Sequence, residues 1–202
     1  MFDKKVTQIR KLNDIQQVSK AEAEEAVKTL IRWIGEDTER EGLINTPKRV
    51  VTSFLEYFEG YKEDPIKILQ TTFKETSGYQ DMILLKGINV TSHCEHHMAP
   101  IIGTAHIAYY PDKKVVGISK LARVTKIYSK RLQIQERLTA EIANSINFVL
   151  NPKGVAVVIE ASHFCINNRG VSNPNVKMRT HTLLGCFADD ESIRSNFFQS
   201  IA

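Results

Sequence analysis

The hydrophobic pattern of this chain changes from a helical to a strand-like period at about residue 80, and this change limits the folds that the chain can adopt. After that point, short apolar runs bounded by turn residues predict strands, and longer runs with helical spacing predict helices. The predicted strands are 82–90, 101–110, 114–118, 155–161 and 179–187, and the predicted helices are 119–130, 135–150 and 191–201. This order indicates an α+β fold in which an antiparallel sheet carries two helices on one face.

The first third of the chain has helical signals instead. Ser19-Lys20-Ala21-Glu22 has the spacing of a capping box, and apolar residues recur at helical spacing after it. Thr46-Pro47 has the form of an N-cap followed by proline at the first helical position, and it opens a second amphipathic run. We therefore predict an N-terminal helical region over 1–76 and an α+β domain over 77–202.

Composition excludes several classes of protein. The net charge of +4 is too small to imply a nucleic-acid-binding protein, although it favours a small polyanionic ligand. The three cysteines are too few for a disulfide framework and indicate a reducing compartment. The sequence lacks a run of 18 apolar residues, and its first residues are charged rather than signal-like. We expect a cytoplasmic protein with no nucleic-acid or membrane partner.

Histidines and cysteines gather at the ends of two predicted strands. Cys94 and His97 have C-x-x-H spacing, and His163 and Cys165 are two positions apart, so they face the same way in an extended chain. Two thiolates and one imidazole suit zinc, and three protein ligands leave a fourth position for water, as in catalytic sites. Zinc lowers the pKa of such a water to about 7.

Two other interpretations of this cluster remain open at this point. A structural zinc would take a fourth protein ligand such as Cys186 or His93, and buried cysteine and histidine can also be ordinary core residues. His106 lies in an alternating strand and is interpreted as structural.

A second group of residues is basic. Ser119-Lys120-x-x-Arg123 opens a predicted helix, where backbone N–H groups favour anions. Lys120 and Arg123 lie one turn apart on one face, and Arg169-Gly170 follows the strand that carries His163. Solvated surface charge is the alternative for each of these residues. A P-loop is excluded because the sequence contains no G-x-x-x-x-G-K-[ST].

Several of these motifs, in this order, resemble the GTP cyclohydrolase I family. The similarity extends over residues 20–200 and is carried by Arg40-Glu41-Gly42-Leu43, Thr46-Pro47-x-Arg49-Val50, Cys94-Glu95-His96-His97, Gly117-Ile118-Ser119-Lys120-x-x-Arg123, Gln133-Ile134-Gln135-Glu136-Arg137 and His163-x-Cys165 with Arg169-Gly170. Departures from the family pattern include Thr52 in place of a lysine, His181 in place of a serine, and the segment 176–182.

The resemblance implies the tunnelling fold and an assembly of two stacked pentamers, a homodecamer. The topology independently favours association through sheet edges, because open edges pair with other chains unless they are covered. The resemblance also implies hydrolysis of GTP at C8 of the purine, with release of formate and formation of 7,8-dihydroneopterin triphosphate. This reaction is the first step of pterin and folate (tetrahydrofolate) biosynthesis.

The resemblance further implies the role of each site residue. Zinc would be bound by Cys94, His97 and Cys165. His163 would donate a proton to the imidazole ring of the purine, and His96 would assist proton transfer. The guanine would be held by Glu136 with Gln135, and the triphosphate by Arg49, Ser119, Lys120, Arg123 and Arg169. The alternatives are another enzyme of the tunnelling fold, such as a nitrile reductase, or a protein in which zinc is purely structural.

Overall fold

The computed structural model describes residues 18–73 and 78–202. The chain divides into two compact units, Met1–Glu59 and Gly60–Ala202. The domain boundary predicted between residues 76 and 77 lies outside the described residues and stays a prediction. No helix in the described parts of the chain is long and apolar enough to cross a membrane.

The first unit contains two helices, α1 (Lys20–Trp33) and α2 (Thr46–Tyr57). The predicted capping box is confirmed, because the Ser19 hydroxyl accepts from the Glu22 amide at 3.2 Å and the Glu22 carboxylate accepts from the Ser19 amide at 2.8 Å. The predicted N-cap at Thr46 is wrong: Asn45 is the cap, and Thr46 is the first residue of α2. The Thr46 hydroxyl instead donates to the Gly42 carbonyl, one turn earlier.

The second unit contains the sheet and the remaining helices. The boundary between the two units falls within a 3₁₀ turn at Glu59–Lys62. The strands of the second unit are β1 (Thr72–Phe73), β2 (Ile83–Cys94), β3 (Pro100–Tyr110), β4 (Val115–Val116), β5 (Leu132–Gln133), β6 (Gly154–His163) and β7 (Met178–Gly185). Its helices are α3 (Pro65–Leu69), α4 (Ile118–Ser129), α5 (Gln135–Leu150), α6 (Phe164–Asn167), α7 (Cys186–Asp189) and α8 (Glu191–Ile201).

The main sheet has five strands in the order β5-β2-β3-β6-β7. All its pairings are antiparallel except the short pairing of β2 with β5, so the predicted α+β class is confirmed. The strand predicted at 114–118 shortens to β4, which pairs with β1 rather than with the main sheet. Tyr109 helps to hold β4 in this position, because its hydroxyl accepts a hydrogen bond from the Val116 amide at 3.2 Å.

The two faces of the sheet are covered by different helices. On one face, α4 and α5 pack on alternate strand residues such as Tyr109 and Val157. On the other face, Ala108 and Val158 pack with Phe187 and Phe197 from α7 and α8. The prediction of helices on one face therefore describes α4 and α5 but not α8. Small strand residues leave room on that second face for the phenylalanine rings.

Strand register brings the ends of β2 and β6 together. Ser92 of β2 pairs with Ile101 of β3, and Ile101 pairs in turn with His163 of β6. Cys94 and Cys165 each lie two positions beyond a member of this row, so both thiols emerge at the same end of the sheet.

Candidate metal centre and active site

Cys94 is the last residue of β2 and begins a tight turn into β3. The Cys94 amide donates to the Ala99 carbonyl at 2.8 Å, and the Met98 amide donates to the Cys94 carbonyl at 2.8 Å. Met98 adopts the left-handed conformation, with a φ of 53°, in the tight turn that reverses the chain direction. The turn holds His96 and His97 at the protein surface beside a buried Cys94 thiol.

Cys165 reaches the same place by a different route from the one predicted. The extended chain expected over 163–165 is wrong, because β6 ends at His163 and the short helix α6 begins at Phe164. His163 and Cys165 therefore do not face the same way by strand alternation. The first turn of α6 nevertheless places the buried Cys165 sulfur near Cys94 and leaves His163 half-buried at the strand end.

Cys94, His97 and Cys165 form a group that could hold a metal ion, and their ligand atoms all lie within 4.8 Å of one another. Cys94 Sγ is 3.8 Å from His97 Nδ1. A sulfur and a nitrogen ligand of one tetrahedral zinc lie about 3.5 Å apart when Zn–S is about 2.3 Å and Zn–N about 2.0 Å. The spacing and the soft donor set therefore fit zinc, and a small contraction would complete the geometry.

The electrostatics of the two thiols also favour a cation between them. Burial raises the pKa of the Cys165 thiol, the adjacent Cys94 sulfur raises it further, and the Arg169 guanidinium opposes both effects. A buried thiol beside a second sulfur, as Cys165 is, resists ionisation unless a positive charge lies next to it. Metal coordination provides that charge and deprotonates thiols outright.

The turn that carries the histidines is held by a polar network from α5. Arg137 donates to the Glu95 carboxylate and, through Nε, to Gln133 Oε1 at 3.0 Å. The Glu95 amide donates to the Gln133 carbonyl at 3.0 Å. Sequence reasoning missed the contact between Glu95 and Arg137, because 42 positions separate these residues and no local spacing indicates it.

His96 lies beside Cys94, His97 and Cys165 but is not one of these three potential metal ligands. Its Nδ1 is 3.7 Å from Cys94 Sγ, and its side chain is 64% exposed. Its ring is edge-on to His97 at 6.3 Å between centroids. An exposed imidazole next to the site is free to contact a bound molecule.

His163 is paired with the first residue of α5. Its Nε2 is 2.7 Å from Gln135 Oε1, and Gln135 is fully buried. Burial lowers the pKa of His163, and the nearby Glu136 carboxylate opposes that shift. Glu136 itself is exposed, in the first turn of α5. The structure therefore separates two neighbours that the sequence groups together: Gln135 points into the protein and Glu136 points out.

The residues predicted to bind the triphosphate lie in three separate parts of the chain. Ser119, Lys120 and Arg123 lie in the first two turns of α4, where Ser119 and Arg123 are exposed and Lys120 is half-buried. Arg169 follows α6 and donates to the Cys165 carbonyl at 3.4 Å, so it lies close to the potential metal ligands.

Arg49 belongs to the first unit, where it shares a groove of α2 with Lys48 and Thr52. The Thr52 hydroxyl donates to the Lys48 carbonyl at 2.7 Å. Thr52 stands where some members of the family have a lysine. The Lys48 side chain lies one turn earlier in the same groove.

The remaining histidines and Cys186 lie outside the metal group found among the described residues. His106 Nδ1 accepts from the Gly87 amide at 3.4 Å, across a bulge in β2, which agrees with the structural role predicted for it. Thr180 contacts Gln135, so its neighbour His181 points to the opposite face of the sheet. There the His181 ring packs edge-on against Phe198 at 5.7 Å, away from the site.

The fold and the site together define an α+β protein with a cysteine–histidine–cysteine group that could hold a metal ion, flanked by histidine, glutamate and arginine. The family described as GTP cyclohydrolase I matches residues 23–202. The chain belongs to the GTP cyclohydrolase I family.

Curated relatives agree with this assignment. The chain is 53% identical to GTP cyclohydrolase 1 of Pelagibacter ubique over 192 residues, which is 95% of each protein. It is 52% identical to GTP cyclohydrolase 1 of Maricaulis maris, covering 90% of this chain and 88% of that protein. It is 53% identical to GTP cyclohydrolase 1 of Brucella abortus, covering 87% and 83%.

Among solved structures, the crystal structure of the archaeosine synthase QueF-Like in the apo form matches with a TM-score of 0.42 and 16% identity. That match covers 53% of this chain and 96% of the other.

Proposed function

We propose that this chain is a zinc-dependent GTP cyclohydrolase that hydrolyses GTP at C8 of the purine. The products would be formate and 7,8-dihydroneopterin triphosphate, which begins the synthesis of pterins and folates. The observation that carries the proposal is the convergence of Cys94, His97 and Cys165 beside His163 in a chain of this family. Relatives above 50% identity that are named GTP cyclohydrolase 1 support the choice of substrate.

Cys94, His97 and Cys165 would hold the zinc ion. When bound there, zinc supplies a Lewis acid that makes water nucleophilic at neutral pH. The protein's own contribution is to bury the two thiols and to leave one side of the group open. His97 lies on that open side, since it is exposed whereas both cysteines are buried.

Proton transfer is assigned to His163 and His96. Opening of the purine imidazole ring at C8 needs an acid for the departing nitrogen. His163 is half-buried and fixed by Gln135, so it is positioned to donate to the ring. His96 is exposed beside Cys94 and would exchange protons with solvent.

Substrate binding is assigned to charged groups around this centre. Glu136 would accept from N1–H and the 2-amino group of guanine, because one carboxylate can accept both. Ser119, Lys120, Arg123 and Arg169 would bind the triphosphate, with the start of α4 adding backbone N–H donors. The triphosphate contact of Arg49 rests on the resemblance and stays a prediction. The guanine contact predicted for Gln135 also rests on the resemblance and stays a prediction.

The proposal is tested by incubating the zinc-loaded full-length chain with GTP and analysing the products by mass spectrometry. We expect formate and 7,8-dihydroneopterin triphosphate in equal amounts. The ultraviolet spectrum should change as guanine becomes a pterin. Unchanged GTP with zinc bound would refute the proposal and favour a structural metal, whereas a different modified nucleobase would indicate another enzyme of the same fold.

Replacing His163 by alanine is expected to lower kcat by about 10²–10⁴, the usual contribution of a general acid. The zinc content should stay at that of the unmodified chain, because the three ligands are unchanged. Metal analysis and steady-state kinetics on the same preparation check both expectations. Loss of zinc in proportion to lost activity would instead make His163 a ligand.

We further propose the tunnelling fold for residues 77–202 and a decamer of two pentamers as the assembly. The outer edge of β2 pairs with β5 only at His93 and Cys94, so among the described residues its earlier positions are unpaired on that side. β7 forms the other edge of the sheet. Edges of this kind pair with neighbouring copies. Light scattering should give a mass near ten chains, and an active monomer would contradict the proposal.

The thiols also indicate where the enzyme works. Cys94, Cys165 and Cys186 are all free in the structure, and the first two must be reduced to bind a metal. We therefore propose the cytoplasm as the compartment, with GTP as small-molecule partner and neither nucleic acid nor membrane as a ligand.

A further inference from the structure

The Gln135 side chain is fully buried, and each of its polar atoms has a partner within the protein. Its Nε2 donates toward the Ile159 and Met178 carbonyls, each at 3.0 Å. The same nitrogen is 3.1 Å from Thr180 Oγ1. Its Oε1 is 2.7 Å from His163 Nε2. The side chain thus joins the start of α5 to β6, β7 and the catalytic histidine.

These partners fix which end of the amide is oxygen. Backbone carbonyls only accept hydrogen bonds, so the end of Gln135 that faces Ile159 and Met178 must be the NH₂ group. The opposite end, facing His163, is therefore the carbonyl oxygen, which can only accept. His163 Nε2 must carry a hydrogen to make the 2.7 Å contact. In a neutral imidazole only one nitrogen is protonated, so Nδ1 is the nitrogen with the free lone pair.

We propose that Gln135 is a positioning residue that fixes the tautomer of His163, so that every proton delivered to the substrate leaves from Nδ1. The inference rests on the proposed function. In the proton-transfer step the Nδ1–H bond of the imidazolium breaks and an N–H bond forms on the purine imidazole ring. The neutral ring that remains keeps its Nε2–H on Gln135, and a proton from solvent later returns to Nδ1.

The hydrogen bond to Gln135 is the same in both charge states of His163. The imidazolium and the neutral Nε2–H tautomer each donate to Oε1, so the ring need not rotate or exchange its partner during the cycle. The geometry therefore confines proton exchange to one atom. A glutamine that only joined α5 to the sheet would not need its oxygen aimed at His163, because the NH₂ group already makes that connection.

Neutron diffraction from deuterated wild-type crystals at alkaline pD tests the assignment without any variant. We expect nuclear density for deuterium on His163 Nε2, directed at Gln135 Oε1, and for two deuterons on Gln135 Nε2. Absence of deuterium from His163 Nε2 would overturn the proposal. This readout is independent of turnover, so a chain that fails to convert GTP refutes the proposed function and leaves the tautomer to be judged by diffraction.

Gln135→Met tests the functional consequence, because methionine keeps the length of the side chain and removes both polar ends. We expect kcat to fall by about 10- to 1,000-fold, since the acid is no longer held in one tautomer. KM for GTP should change by less than about threefold, because the side chain does not contact substrate. The zinc content should be unchanged.

Thr180→Val is the matched control. It removes one partner of Gln135 Nε2 but leaves both carbonyls that orient the amide, so kcat should stay near the wild-type value. Wild-type kcat in Gln135→Met would overturn the proposal. A raised KM with unchanged kcat would also overturn it and restore the guanine contact. Equal losses of kcat in both variants would show a purely structural role.

Discussion

Replacing Cys165 by serine is expected to abolish zinc binding and GTP turnover together. Serine is a poor ligand for zinc, and two remaining ligands, one of them on an exposed turn, do not hold the ion. Because zinc supplies the activation of water, no part of the rest of the site can replace it. Metal analysis of the purified chain, with product formation measured on the same sample, checks both losses. Cys94→Ser should behave in the same way.

Cys186→Ser is the matched control for this prediction. Cys186 begins α7, is half-buried and lies outside the group that could hold a metal, so the variant should keep its zinc and its activity. Full zinc occupancy in both Cys94→Ser and Cys165→Ser would contradict the ligand assignment. Loss of zinc in Cys186→Ser would instead point to a four-ligand structural site.

Replacing Glu136 by glutamine is expected to lower kcat/KM for GTP on the order of 10²–10⁴-fold, through loss of two charge-assisted hydrogen bonds to guanine. An amide has one accepting oxygen, and its NH₂ group would face a donor on the base. Adenine offers neither donor on that edge and presents its N1 lone pair to the carboxylate, so ATP should not be turned over by the unmodified chain.

Glu191→Gln is the matched control for this prediction. It distinguishes a loss of guanine binding from the loss of a favourable interaction between a carboxylate and a helix dipole. Glu136 and Glu191 are both exposed glutamates in the first turn of a helix, α5 and α8 respectively. If Glu136 served only the helix dipole, both substitutions would cost a few tenths of a kcal/mol of stability and leave turnover alone. Steady-state kinetics, zinc content and melting temperature of the two variants decide. Near-normal GTP turnover by Glu136→Gln would show that another group holds guanine.

Much of the secondary structure was predictable because capping and turn residues mark the same element boundaries as the hydrophobic periodicity. The helices predicted at 135–150 and 191–201 match α5 and α8 to the residue. Each has a helical apolar period, and an Asn-Pro turn follows α5 while Asp190 caps α8. The strand predicted at 82–90 was too short, because Thr91 to His93 are polar and break the apolar pattern. Pairing with β3 nevertheless continues β2 to His93, and pairing with β5 extends it to Cys94.

Other features depended on contacts between distant parts of the chain. Arg137 and Glu95 are 42 positions apart, and His163 and Gln135 are 28 apart. Gln135 and Glu136 are adjacent polar residues, and nothing in their local sequence indicates that one is buried and the other exposed. That difference arises because α5 starts against β6 and β7, so its first residue faces the sheet and its second faces solvent.

The sequence by itself determined the chemistry of the centre. Two cysteines and a histidine near strand ends suit a soft metal ion by residue type and spacing, and the resemblance to the family selected them as a three-ligand set. The tertiary structure decided how these side chains meet: a helical turn rather than an extended strand brings Cys165 to Cys94, and the buried Gln135 amide pairs with Nε2 of His163. Residue type is local information, whereas the direction of a side chain depends on which elements pack against it.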